Sequence, residues 1–148
     1  MININELSVG QEYDRKTLAY KWGYKKYHAI TRGIFTPANE KIIILFITED
    51  NQPSTSTYVN RLEGNLLFSS GEKSGVNDNR VSSASSNGDV IILFHRNMHH
   101  MPFTYKGEVD LVSITPQVGN PSRFVFHLSK PGSLSNELSE RVLYNESF

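Results

Sequence analysis

The chain has 148 residues with 15 basic and 15 acidic side chains, so it is formally neutral, and it contains no cysteine. Disulfides and thiolate zinc sites are thereby excluded, the cytoplasm is the expected compartment, and the length suits one domain that buries about two-thirds of its unfolded surface. No apolar run approaches the ~20 residues of a membrane span, and the opening MININE lacks the charged and apolar regions of a signal peptide.

In chain order, Asp14 is a natural N-cap for a helix over residues 15–21 that stops near Gly23. Residues 41–48 (KIIILFIT) form a β-branched, aromatic run that is apolar on both faces, as a central strand should be. Residues 66–68 make a shorter strand. A second short helix is expected over residues 79–86, with Asn87-Gly88 as its stop. Residues 90–95 (VIILFH) repeat the central-strand pattern, and residues 104–114 alternate, with Lys106-Gly107 marking a bulge or bend. Residues 123–128 (RFVFHL) point Phe124, Phe126 and Leu128 to a core and Arg123, Val125 and His127 outward. Gly, Asn, Ser and Pro clusters separate these strands, and long helical periods are missing. The expected class is α+β, mostly β: a curved β-barrel or strongly curved sheet, not a doubly wound fold. One domain is expected over residues 1–130. Residues 131–148 read as a linker or tail, with an amphipathic turn or two over 134–143.

Charge is unevenly distributed. Residues 15–39 carry six bases (Arg15, Lys16, Lys21, Lys25, Lys26 and Arg32) and no acid, so the other 123 residues sum to minus six. Tyr20, Trp22, Tyr24 and Tyr27 are set among these bases. A basic, aromatic-laced strip on a mildly acidic domain fits a polyanion, whereas its bland alternative is a solvated helix face whose aromatics pack inward.

Three further segments carry candidate chemistry. In residues 58–72 (YVNRLEGNLLFSSGE), flat aromatic faces and an Asn amide supply what is needed to stack an extruded base and read its pairing edge; an ordinary turn before a strand is the alternative. In residues 94–107 (FHRNMHHMPFTYKG), Arg96, His95, His99 and His100 gather with Phe103 and Tyr105 after an apolar strand. That pattern suits phosphate contact better than a metal, because adjacent histidines in an extended chain point opposite ways and the nearest acid is Glu108. In residues 75–80 (GVNDNR), Asp78 and Asn79 suit a helix cap, and Arg80 is a candidate phosphate contact. There is no G-x-S-x-G elbow, no H-E-x-x-H and no phosphate-cradling Gly-rich loop. Glu49-Asp50 lacks the lysine that a restriction-nuclease core wants near its second acid. The chain reads as a binding domain without cofactor or metal.

The succession GIFTP, IILFIT, YVNRLEGNLLFSSGE, NDNR, VIILFHR and HHMPFTYKG resembles a domain of bacterial modification-dependent restriction systems. That domain sits beside helicase and nuclease modules, including HNH proteins, and the resemblance covers roughly residues 10–128. The segment 58–72 also resembles the core of SRA domains, PUA-like curved β-barrels that flip 5-methylcytosine out of duplex DNA. Tyr58 matches the first stacking tyrosine, Gly64-Asn65 the Gly-Asn turn, Gly71 the later glycine, and Asp78-Asn79 the Asp-Gln pair. The aspartate that accepts from the cytosine amino group falls at Asn60 or Arg61, and the second stacking tyrosine at Phe68 or Ser69.

The resemblance thus implies a base pocket from Tyr58, Asn60, Arg61, Gly64, Asn65, Phe68, Ser69 and Asp78. Backbone or groove contacts would come from Lys21, Lys25, Lys26, Arg32, Arg80, Arg96, His99 and His100. The implied partner is double-stranded DNA carrying 5-methylcytosine or a related base, and the nuclease or helicase would be a separate module. Three alternatives compete. A winged-helix-like binder would use residues 15–23 and 24–32 as two helices. A metal nuclease would use the histidines or Glu49-Asp50. A protein-interaction barrel would not touch nucleic acid.

Overall fold

The computed structural model describes residues 2–30, 33–49, 60–72 and 75–128. Glu12–Tyr13 (β1) precedes helix Arg15–Lys21 (α1), capped by Asp14, whose Oδ1 accepts from the Thr17 amide at 2.7 Å. Ile34–Phe35 (β2), Ile42–Thr48 (β3), Arg61–Glu63 (β4) and Leu66–Ser70 (β5) follow. Helices Asp78–Ser82 (α2) and Ala84–Asn87 (α3) lie where one short helix was expected, and Gly88 closes the second in the left-handed region. Val90–Arg96 (β6), Phe103–Gln117 (β7) and Asn120–Leu128 (β8) complete the chain order. The expected tail lies outside the described residues.

All eight strands belong to one mixed sheet, ordered β2-β3-β6-β7-β8-β5-β4, with β1 paired to β7 off that path. Its spine is the parallel pair β3–β6, in register from Ile42↔Val90 to Thr48↔Arg96. A parallel pair needs cover on both faces, which the continuous apolar runs of these two strands provide for. On one face Ile42, Ile44, Phe46, Ile92 and Phe94 pack with Leu18, Ala19 and Trp22 of α1 and its cap, and with Phe103 and Tyr105. On the other, Ile43, Leu45, Ile47, Ile91 and Leu93 meet Leu67, Phe124 and Phe126, with Val81 and Ala84 from the short helices.

That second core fixes the shape. Residues from β3 and from β5 and β8, far apart along the strand order, share one apolar cluster, so the sheet curls until its two ends face each other. Side chains bridge the seam: Asn60 Nδ2 donates to the Thr48 carbonyl at 3.5 Å, and the Leu62 amide donates to Glu49 Oε1 at 3.4 Å. Among the described residues no backbone ladder joins β4 to β2 or β3. The expected barrel is therefore corrected to an open, strongly curved sheet. The physical reason is that β2 spans two residues and β4 three, too short for the two edges to pair across the seam.

Two irregularities position residues. Between β6 and β7 the register runs Leu93↔Gly107 and then Phe94↔Tyr105, so Lys106 is the extra residue of a bulge, with Gly107 at φ 92°. Gly64 (φ 58°) and Asn65 form a two-residue hairpin turn between β4 and β5, which places Asn60 beside Ser70 at the far end of that hairpin.

Candidate functional site

The seam opens into a cleft of about 400 Å³. Gly33, Ile34, Leu45, Phe46 and Ile47 form one wall, and Asn60, Ser69, Ser70, Gly71 and Glu72 the other. The aliphatic side chains are the frayed edge of the second core, where β2 ends too soon to cover it. The polar groups come from strand ends. Asn60 just precedes β4, Ser69 faces inward from β5 with 5% exposure, and Glu72 follows β5. The Asn60 amide is held loosely, because its Oδ1 accepts from the Ser70 amide at 3.4 Å and its Nδ2 donates at 3.5 Å. Both distances lie beyond good hydrogen-bond length, so this amide can exchange partners at little cost.

Below the cleft wall, Gly71 has no room for a side chain. A Cβ there would stand 2.8 Å from Phe124 Cε2 and 2.9 Å from Asp78 Oδ1. Asp78 Oδ2 accepts from the Ser122 hydroxyl at 2.5 Å, while Oδ1 is buried without a hydrogen-bond partner. Asn77 precedes α2 and donates to Glu72 Oε1 at 2.6 Å, tying the helix to the cleft rim.

The expected base-pocket residues are thus divided. Asn60 and Ser69 line the cleft, and Asp78 supports Gly71 from beneath. Tyr58 lies outside the described residues. Phe68 alternates to the opposite face of β5 from Ser69, where the Arg61 guanidinium sits 4.9 Å from its ring centroid and pairs with Glu63 at 2.8 Å. Phe68 and Arg61 line a separate depression with Thr115 and Arg123. Gly64 and Asn65 form the turn at the remote end of the hairpin and do not line the cleft.

The C-terminal ends of β3 and β6 carry a second constellation. His95 Nε2 and Glu49 Oε2 are 2.6 Å apart, with His95 buried, in a cleft of about 490 Å³ that also takes in Glu12, Arg96 and Lys106. On the other face of the same strand ends, Arg96 Nε donates to Thr48 Oγ1 at 2.8 Å and Nη1 to the Met101 carbonyl at 3.1 Å. Its guanidinium carbon lies 4.2 Å from the Phe103 ring centroid. Arg15 lies 5.0 Å from the same centroid and 4.8 Å from that of Phe46, and its Nε is buried without a partner. Burial, with the nearby charge of Arg96 added, pulls Arg15 down to about 10, and burial lowers Arg96 as well. His99 and His100 are exposed on the turn before Phe103, and His100 has φ 68°.

The remaining basic residues differ in availability. Lys25 and Lys26 are exposed, Lys21 pairs with Glu6 at 3.5 Å, and Arg32 lies outside the described residues. Arg80 has an internal role instead of a free phosphate-facing one. It grips the buried Asp89 carboxylate with Nε and Nη2 at 2.8 and 2.9 Å, and Nη2 also donates to the Glu40 carbonyl at 3.0 Å. Among the described residues no group of three His, Asp or Glu side chains is placed to hold a metal ion, and no helix is long and apolar enough to cross a membrane.

Three features escaped the sequence reading: Glu72 at the cleft rim, the Glu49–His95 pair, and the partial burial of Arg15. Only the last left a signal. Arg15 precedes Leu18, Ala19 and Trp22 by three, four and seven positions, which puts it on the apolar stripe of α1. No protein-family model matches this chain, and no curated protein matches it.

Proposed function

We propose that this domain reads a modified base, 5-methylcytosine or a close relative, swung out of duplex DNA, as the specificity module of a modification-dependent restriction system. One observation carries the reading: a nucleoside-sized cleft at the curved sheet's seam with a loosely held Asn60 amide, an inward Ser69 hydroxyl and a glycine that brings backbone to the wall. An Asn amide offers both a donor and an acceptor to a pairing edge. In this proposal Tyr58 supplies a stacking face, the aliphatic wall of Ile34, Leu45 and Ile47 gives the base apolar contact, and Phe68 is not given the stacking role.

The energetics set what each part must do. Extruding one nucleotide costs a few kcal/mol. Stacking on an aromatic face returns about 1–3 kcal/mol, and burying one methyl about 0.8 kcal/mol. The methyl alone therefore gives modest discrimination, and the Asn60 contacts are needed to make the balance depend on the base. Exposed Lys25, Lys26, His99 and His100 are assigned to the duplex, with salt-dependent, sequence-blind affinity.

The test compares matched duplexes bearing cytosine, 5-methylcytosine and 5-hydroxymethylcytosine at two salt concentrations. A preference for one modified duplex that persists at both is expected, and equal affinity for all three overturns the reading. Tyr58→Ala should abolish the preference while sparing much of the non-specific affinity.

A second reading, a nuclease, draws on the 2.6 Å Glu49–His95 contact, which has the geometry of an oriented general base. It predicts divalent-metal-dependent cleavage by the isolated chain that His95→Ala removes. A winged-helix reading would need a groove-length second helix, and residues Tyr27–Ile30 form a single 3-10 turn.

A further inference from the structure

We propose that Arg15 and Arg96, flanking Phe103 with the Thr48 hydroxyl bonded to Arg96, form a binding site for a phosphate group. Both guanidinium carbons lie near one ring centroid, at 5.0 and 4.2 Å, so the two cations stand no further apart than the sum of those distances, about 9 Å. No carboxylate among the described residues pairs with either. An arginine cannot shed its charge, and two partly desolvated ones within about 9 Å of each other repel in a medium that screens poorly. Proteins ordinarily answer such charges with acids.

Here the only compensation within the described residues is the faces of Phe46 and Phe103 and two neutral oxygens. Ring faces attract the cation but leave the buried Arg15 Nε–H without an acceptor. A dianionic or diester phosphate would supply the missing charge and the missing acceptors together, and guanidinium forks match its oxygens. Thr48 Oγ1 accepts from Arg96 Nε, which leaves its own proton to donate to the same anion. The lowering of both arginines by burial agrees with a site that gains most when an anion arrives.

The position gives the phosphate a context. Thr48 holds Arg96 through its hydroxyl and Asn60 through its carbonyl, so this site and the seam cleft flank one strand end from its two faces. The inference here rests on the proposed function for its ligand, a backbone phosphate of the bound duplex.

The experiment titrates inorganic phosphate into the full chain against chloride at matched ionic strength, reading the thermal midpoint and phosphorus NMR. Wild type should show a phosphate-specific upward shift, and Arg15→Gln and Arg96→Gln should each weaken phosphate binding about tenfold or more. A wild type indifferent to phosphate, or variants that bind it as well as wild type, overturns the site. Should Arg15→Gln lower the midpoint without phosphate yet keep the full phosphate shift, Arg15 only packs, and the site is again overturned. If that variant does not fold, the less buried Arg96→Gln decides the matter.

Duplex binding identifies the source of the phosphate. With the nucleic-acid backbone as ligand, each variant lowers the slope of log affinity against log salt by about 1, whereas an unchanged slope assigns the site to free phosphate or a nucleotide. Asn60→Ala separates this inference from base reading, since it should remove modification preference and leave phosphate binding intact. Equal affinity for all three duplexes alongside arginine-dependent phosphate binding sinks the reading and keeps the site.

Discussion

Two residues show how little freedom the cleft's foundations have. Gly71 touches Phe124 and Asp78 so closely that a single methyl overpacks the core, and Gly71→Ala should cost about 1–3 kcal/mol in urea unfolding. Because that methyl also pushes the cleft wall, the base preference proposed above should fall by more than the stability loss explains. Arg80 poses the opposite case. Its bond to Asp89, set against the cost of burial, holds that carboxyl below its ordinary range. A depressed carboxyl contributes stability that is fully present above its unfolded value of about 3.9 and is lost as the pH falls through the lower folded value. Arg80→Ala removes the two guanidinium bonds to Asp89, leaves it with Asn87 and the charge of Lys41, and should cost about 1–3 kcal/mol at pH 7, with the gap to wild type narrowing as the pH drops below about 4. Duplex affinity of the folded Arg80→Ala protein should be unchanged, because the guanidinium is already committed inside the domain.

At the level of elements, the strands were the most readable part. The runs 41–48, 90–95 and 123–128 appear as β3, β6 and β8, with Phe124, Phe126 and Leu128 buried as their alternation required. The Lys106-Gly107 bulge was legible because a glycine interrupts an alternating strand. Without that extra residue, Phe103 and Tyr105 would turn away from the aromatic core they share with Phe94. Deleting Lys106 should therefore unfold the domain, whereas Gly107→Ala, at φ 92°, should cost about 1 kcal/mol in the same denaturation assay. What the sequence left hidden concerns facing. Phe68 and Ser69 are neighbours that a strand sends to opposite sides, and the register that chooses between them comes from pairing with β8, a partner 57 positions away at Phe68↔Val125. Arg61, expected near the pocket, follows Phe68 for the same reason.

For the whole molecule, chain order and sheet order disagree, and no local pattern predicts that. β4 and β5 follow β3 in the chain yet pair at the opposite end of the strand order, and the two ends meet only because the sheet curls. Glu49 meets Leu62 through that curl, and it meets His95 through the parallel pairing of β3 with β6, a partner 46 positions away that no local pattern reveals. Stability should be graded accordingly. Amides of β3 and β6, bonded on both flanks and buried on both faces, should exchange slowest, and those of β4, held at the seam by long side-chain bonds, fastest. Hydrogen exchange that protected β4 as well as β6 would contradict an openable seam.

The parallel spine has an evolutionary corollary. Its two strands are joined by one long excursion, and Asn60, Ser69 and Glu72 all ride on that excursion while the spine contributes mainly aliphatic scaffolding. On the proposed function, base-reading groups and fold are thus written on different stretches of chain, while the phosphate contacts Thr48 and Arg96 stay with the spine. On that reading, replacing the excursion should exchange the base preference without rebuilding what holds the domain together.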